Sequence, residues 1–337
     1  MFEASTYIER RKGLRERVGS GLILFLGNEP ARMNYADNPY HFKQDSSFLY
    51  YFGLDQAGLA AVIDADSGEE IVFGHEPTVD EIVWTGPLPT LAEECAHVGV
   101  GRHEEPEKLG ELLRAGRDAG RTIHFLPQYR AWNRIKLARM LGIPGLSTDD
   151  HVSRPLIEAV IDQRLYKTDE EVAEIEIAID ISYDMHTLAM HLVRPGMVER
   201  EVAGAVEGVV LSRGGLTSFP IIFSVRGEVL HNHGYDNVMK DGQLAVHDSG
   251  ATSPLGYAKQ MLDQYGPNVS GPNISRFVQS LEGLDPSVVH QVASLLQSAS
   301  VDLVEMQAAA LGDVGKAVAD YRRTWRTSTN ARLEQIE

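Results

Sequence analysis

The stretch KTDEEVAEIEIAIDISYDMHTLAMHLVRPGMVEREVAGAVEGVV, Lys167 to Val210, decides how the larger part of the chain folds. Thr168 and Glu171 stand three apart at its start. That is the spacing of a capping box, in which a hydroxyl and a carboxylate satisfy the first unpaired N–H groups of a helix. Val172, Ile175, Ile179, Met185, Leu188 and Leu192 then recur at near-helical spacing, and the helix stops before Pro195 and Gly196. Beyond that break Val198, Val202, Val206 and Val209 mark one face of a second amphipathic helix, which ends at Gly214 and Gly215. Three apolar runs follow, FPIIFSV (219–225), GEVLHNHG (227–234) and GQLAVHDSG (242–250), and they read as strands joined by turns. The order is helix, helix, strand, strand, strand over about residues 154–258.

Upstream, residues 1–150 have a different rhythm. Thr6 to Val18 reads as a short charged helix. Leu22 to Asn28 (LILFLGN) reads as a buried strand, a short apolar run closed by Gly and Asn. LAAVID (59–64) and EIVFG (70–74) bracket the turn residues Ala65 to Gly68 and predict a β-hairpin. EKLGELLRAG reads as a helix opened by Pro106 and stopped by Gly116. TIHFLP (122–127) is a further strand closed by proline. Alternating strands and helices predict an α/β domain.

Downstream, residues 259–337 change character again. GPNVSGPN (266–273) is a turn-rich linker. Asp285 caps and Pro286 begins a long helix with the apolar stripe Val288, Val292, Leu295, Ala299, Leu303 and Met306. A further helical stretch follows Gly312 and ends in the polar RTSTNARLEQIE. Such a stripe reads as core or as a surface for a partner helix.

The whole chain of 337 residues has 31 Lys and Arg against 48 Asp and Glu, a net charge of −17. This argues against sequence-independent nucleic-acid binding, which needs basic patches, and against docking on anionic lipid. Cys95 is the single cysteine, so no internal disulfide forms, which fits a reducing compartment. The N-terminal MFEASTYIERRKG lacks the apolar stretch of a signal peptide. The run Leu22–Leu26 is far too short to span a bilayer. These features predict a cytoplasmic protein.

Two short patterns could carry chemistry. In LHNHGYDN, His231 and His233 stand at i and i+2, a spacing that on a strand puts both imidazoles on one face. Such a pair could bind a metal or polarise a substrate; it equally suits a strand end with two solvated histidines. In VHDSGAT, Asp248 follows an apolar strand and precedes a Gly-permitted bend, where a carboxylate could serve as a hard oxygen ligand. It equally suits a turn aspartate bonded to its own backbone. The sequence contains no Gly-rich phosphate loop, no Cys pair for zinc, no H-E-x-x-H and no G-x-S-x-G elbow.

Together these elements are more specific than separately. Lys167, Glu171 and Ile175, followed by Arg194, Pro195, Gly196 and Glu199, resemble the helical opening of the creatinase and aminopeptidase P family. LHNHGYDNVMKDGQLAVHDSGATSPLGYA (230–258) is similar to the strands that follow it there. YIERRKGL, ILFLGNEPARMNYADNPYHFKQDSSFLYYFGL and DEIVWTGP are similar to the family's N-terminal domain. The chain is thus identified as a member of the Xaa-Pro aminopeptidase family over about residues 1–258. The resemblance implies a pita-bread fold, here its α+β first half, and release of the N-terminal residue that precedes proline in a peptide. It also implies two divalent ions, usually manganese, held by two aspartates, a histidine and two glutamates. Hard oxygen donors suit manganese, and a paired site activates a bridging water. By the resemblance Asp248 matches the first aspartate. His231 matches a non-ligand histidine that contacts substrate and steadies the tetrahedral intermediate, with His233 beside it as a substrate contact.

The same resemblance shows departures. The second aspartate of the pattern falls at Lys259, whose ammonium offers no lone pair and repels a dication. Asp263 comes too late along the chain to replace it. His290, Glu282, Glu305, Glu334 and Glu337 lack the flanking residues of the later ligands. The expectation is that the chain alone is not a competent peptidase. The alternatives are a non-catalytic binding or assembly module, or an interrupted or fused reading frame. An open sheet edge in a half domain would invite association, so a homo-oligomer is also expected.

Overall fold

The computed structural model describes residues 2–86 and 88–253. Lys259, Asp263, His290 and the expected C-terminal helices lie outside the described residues. The chain forms two compact units, one spanning Met1–Glu170 and the other beginning at Glu171.

The first unit contains, in order, α1 (Ala4–Val18), β1 (Leu22–Leu26), α2 (Ser46–Phe52), β2 (Ala60–Asp64), β3 (Glu70–Phe73), α3 (Val79–Thr85), α4 (Leu91–His97), β4 (Arg102–Glu104), α5 (Pro106–Asp118), β5 (Ile123–Phe125), α6 (Ala131–Leu141) and α7 (Arg154–Leu165). Its sheet has the order β4-β3-β2-β1-β5. The β1–β2 and β2–β3 pairs are antiparallel, and β1–β5 and β3–β4 are parallel. This is the α/β domain that the alternation predicts. All five residues of β1 are buried, as expected for a central strand covered on both faces. Its alternate residues feed two cores. Ile23 and Phe25 pack with Leu14, Phe48, Phe52 and Leu156. Leu22, Leu24 and Leu26 pack with Leu109, Leu113 and Leu137. Each such buried side chain contributes roughly 1.5–3 kcal/mol.

Two details refine the sequence reading. The helix expected to stop at Gly116 runs on to Asp118. Gly116 is instead a packing glycine, because a Cβ there would stand 2.6 Å from Leu22 Cδ1. Helix α7, on the C-terminal side of the expected boundary, packs with the first unit: Leu156, Ala159 and Val160 join the core that contains Tyr7 and Leu14 of α1.

Arg11 shows how completely this unit is closed. Its side chain is fully buried. Nε donates to Glu70 Oε2 at 2.7 Å, and the two Nη groups donate to the carbonyls of Tyr51 and Val98, each at 3.0 Å. Burial lowers its pKa while Glu70 opposes the shift. All three guanidinium nitrogens donate hydrogen bonds, the kind of pairing under which a buried charge is tolerated.

The second unit contains α8 (Asp169–Leu192), whose first residues precede the boundary, α9 (Glu199–Ser212), β6 (Ile222–Ser224) and β7 (Val246–Asp248). The two strands form an antiparallel pair with Phe223 opposite His247. The two expected helices form, the first starting immediately after Thr168. Their shared core is made by Ile181, Met185 and Ala189 of α8 against Val202, Val206 and Val210 of α9, closed by Ile221, Phe223 and Met239. Within the expected α8 stripe, Met185 is buried, but Val172, Ile175 and Ile179 are exposed. Of the three expected strands, the first and third form in part. The second, residues 227–234, is turn and irregular loop. Among the described residues, no helix is long and apolar enough to cross a membrane.

Candidate functional site

The site region of the second unit is organised from Glu199, the first residue of α9. Its buried carboxylate accepts hydrogen bonds from the backbone N–H of Val225 (2.8 Å), the backbone N–H of Asn237 (3.1 Å) and the Asn237 side-chain amide (2.9 Å). Burial alone would raise its pKa, but these donors outweigh it and hold the carboxyl below its ordinary value. The position in the first helical turn also favours negative charge. Around it the chain returns on itself. Gly196 N–H donates to Met239 O, Met239 N–H to Met197 O, Glu199 N–H to Asn237 O and Arg200 N–H to Tyr235 O. The R-P-G-x-x-E pattern is therefore a clamp. Gly196, at φ 93, makes the bend, and Glu199 ties the start of α9 to the segment that returns beside it.

The loop held by this clamp carries His231 and His233. The strand placement that would align both imidazoles does not occur. The loop is shaped by side-chain bonds to its own backbone and neighbours: Ser224 Oγ accepts from Arg226 N–H at 2.9 Å and from Asn232 Nδ2 at 2.9 Å, and Asn232 Oδ1 accepts from Gly234 N–H at 3.0 Å. Asn232 thus builds an Asx turn where a ladder was expected. Both histidines are exposed.

Asp248 ends β7 opposite Ile222 and is also exposed. Its neighbour His247 points to the other face, as strand alternation requires. The His247 ring lies 4.4 Å from that of His186 on α8 and 5.6 Å from that of Phe223, centroid to centroid. Ser249 Oγ and His247 Nε2 are 2.8 Å apart, and His186 Nε2–H donates to the Ser249 carbonyl at 3.2 Å. Ala251 N–H donates to Ser182 Oγ at 3.1 Å. Burial, reinforced by His186 and opposed by Asp248, lowers the His247 pKa to about 4. His247 is therefore neutral at pH 7. The sequence reading did not single out His186 and His247. They are far apart along the chain, and no local spacing signals the contact.

No hydrogen bond or ion pair joins His231, His233 and Asp248 to one another among the described residues. A cavity of about 170 Å³ opens beside the Arg194–Gly196 turn, lined by Val193, Pro195, Val225, Met239 and Gln243 among others; none of the three predicted residues lines it. Among the described residues, no group of three or more His, Cys, Asp or Glu side chains could hold a metal ion. The donors that the described residues place around Asp248 therefore do not by themselves fit a two-ion centre. Cys95 offers no alternative: it is buried in the first unit, and burial with nearby Glu94 and Glu76 pushes its thiol pKa up to about 12, leaving it unreactive.

Residues 7–124 match the family model for the aminopeptidase P N-terminal domain, and residues 173–272 match that for metallopeptidase family M24. The Xaa-Pro dipeptidase of Rattus norvegicus is 27% identical over 264 residues, covering 71% of this chain and 50% of its own length. The Xaa-Pro aminopeptidase of Escherichia coli K12 is 25% identical over 307 residues, covering 83% of this chain and 66% of its own. Two solved structures share the fold. One is E. coli aminopeptidase P with the inhibitor Pro-Leu, with TM-score 0.62, 21% identity, 75% of this chain and 60% of that one. The other is zinc-substituted E. coli aminopeptidase P in complex with product, with TM-score 0.63, 19% identity, 95% of this chain and 78% of that one.

The fold is thus that of a pita-bread metallopeptidase: an α/β N-terminal domain followed by part of an M24 domain. The chain belongs to the Xaa-Pro aminopeptidase family, matched over part of its length. It spans about half the length of the mammalian Xaa-Pro dipeptidases that it matches. The M24 match ends at residue 272, beyond the Ala258 at which the sequence reading placed the end of the resemblance.

Proposed function

We propose that the chain keeps the frame of an Xaa-Pro peptidase and a single position of its metal site, Asp248, and that by itself it does not hydrolyse peptides. The observation that carries this reading is the donor set. The described residues supply one matching carboxylate, exposed and in no group of three or more His, Cys, Asp or Glu side chains that could hold a metal ion, and Lys259 stands where the family pattern has its second aspartate. The reading treats residues 1–150 as the aminopeptidase P N-terminal-like domain, 154–258 as the first half of the pita-bread domain and 259–337 as an unrelated helical segment.

In a complete member of the family a divalent ion, manganese in this reading, supplies the activated water. This chain's own contribution is positional. Glu199 and Asn237 fix the return segment, and Asn232 shapes the loop that presents His231 and His233 toward a peptide. The partner class for an active form is proline-containing peptides, on which the relatives act. The single buried cysteine suits a cytoplasmic setting. A second reading, a module that functions by assembly as a homo-oligomer, is favoured by the exposed apolar positions of the second unit. A mixture of Xaa-Pro peptides incubated with the purified chain and manganese tests the proposal. No release of the residue before proline is expected, and turnover above the metal-only control would refute it.

A further inference from the structure

Among the described residues, His124 is the only buried histidine. It stands on β5 opposite Ile23 of β1, on the side of the sheet where Ile23 packs with residues of α1 and α7. Both ring nitrogens are engaged: Nε2 lies 3.0 Å from the Ser20 carbonyl oxygen, and Nδ1 lies 2.6 Å from Ser153 Oγ. A carbonyl only accepts, so Nε2 carries the proton and donates. The neutral ring then leaves Nδ1 as an acceptor, and the Ser153 hydroxyl donates to it. Burial lowers the His124 pKa below its ordinary value of 6.5, opposed by the bond to Ser20, so the ring is neutral at pH 7.

Ser153 is also the N-cap of α7. Its Oγ accepts from Leu156 N–H at 3.3 Å, its carbonyl accepts from Ile157 N–H at 3.0 Å, and its own N–H donates to the Phe125 carbonyl at 3.1 Å. The other end of α7 is fastened by groups that do not titrate near neutral pH. The hydroxyls of Tyr50 and Tyr51 donate to the carbonyl and Oε1 of Gln163, and Gln163 Nε2 donates to the Arg10 carbonyl. We propose that His124 is an acid-sensitive latch on α7: taking up a proton turns the Ser153 hydroxyl away and opens the first turn of the helix. A protonated ring must donate from Nδ1 as well, so the hydroxyl can no longer donate there, and the buried cation gains no carboxylate partner among the described residues. The charged groups of the surrounding elements are engaged elsewhere: Arg121 with Asp64 and Asp66, Arg154 with Glu158, and Arg17 with the Gly13 carbonyl. Glu16, in the last turn of α1, is exposed. Because the folded pKa lies below the unfolded one, the stability that His124 contributes is complete above about pH 6.5 and is lost as pH falls through the folded value. The latch does not depend on the peptidase reading.

NMR of the full chain tests this by following the His124 ring and the amides of Ser153, Leu156 and Ile157 between about pH 7.5 and 5. His124 should titrate in this range with a midpoint below its ordinary value. Hydrogen exchange at Leu156, corrected for the intrinsic effect of pH, should rise about ten-fold with the same midpoint, while amides near Gln163 stay protected. His124→Gln should remove the pH step, and Ser153→Ala should give fast exchange at Leu156 at both ends of the range. The two midpoints are read on the parent alone, so a variant that fails to fold leaves the test standing. A His124 ring that titrates while Leu156 exchange stays level, a ring that does not titrate down to the lower limit, or a pH step that survives in His124→Gln would each overturn the proposal.

Discussion

The two sheets among the described residues face opposite situations. In the first unit, β1 lies inside a five-stranded sheet with helices on both faces, and every one of its residues is buried. In the second, β6 and β7 form a two-stranded pair. Leu244 and Val246 beside it are 91% and 46% exposed. A two-stranded ribbon is marginal unless more strands or a helix cover it. Here α8 and α9 cover one side, through Phe223 and His247. Among the described residues, the first unit has the packing of a finished domain, whereas the strand pair of the second is covered on one side.

The contrast can be broken most sharply by cutting the closed core. Phe52→Ala should cost roughly 3–5 kcal/mol, because Phe52 is fully buried against Phe25 and Phe48. A urea titration followed by circular dichroism should show an early loss of the first unit's structure. A smaller effect is expected from Glu199→Gln, about 1–3 kcal/mol, since an amide cannot accept from Val225 and both Asn237 donors as the carboxylate does. Its signature is local, with faster hydrogen exchange at the Val225 and Asn237 amides.

A third test uses pH. Burial would raise the Asp64 carboxyl, but Arg121 and the N–H groups of Ser67 and Asp66 outweigh it and bring its pKa from 3.8 to about 2. Because the folded value lies below the unfolded one, this stabilisation is present above about pH 4 and disappears as pH falls toward 2. It amounts to about 2 kcal/mol. Asp64→Asn should flatten that part of the stability curve. The smallest effects belong to the open side of the second unit. Ile179→Ala and Asp248→Ala should each change thermal stability by less than about 0.5 kcal/mol, and a large loss in either would mean that the second unit is covered after all.

Much of this fold is legible in the residues. LILFL announces a strand covered on both faces, and Ala65–Gly68 announces a hairpin, closed by Asp64 accepting from Asp66 and Ser67 N–H. The helices α8 and α9 follow from their periodicity and the Pro195–Gly196 break. What stays hidden depends on partners distant in sequence. β4 is three polar residues, Arg102 to Glu104, made a strand only by pairing with β3. Residues 227–234 look like a strand by composition but have no ladder partner, so Asn232 folds them into turns. The buried row of α8 is chosen by α9, and the helix's own sequence supports more than one face. At the site, Asp248 was legible as a strand-end carboxylate and His231 with His233 as an i, i+2 pair, whose role came from the family resemblance, whereas the His186–His247 contact exists only once α8 meets β7.

Metal stoichiometry tests the central claim most directly. The full chain is loaded with manganese, desalted and analysed for metal per protein by mass spectrometry, with circular dichroism confirming that the sample is folded. The account predicts close to no bound manganese, in parent and Asp248→Ala alike. About two ions per chain, the content of a paired-metal centre, with loss of both in Asp248→Ala, would contradict it.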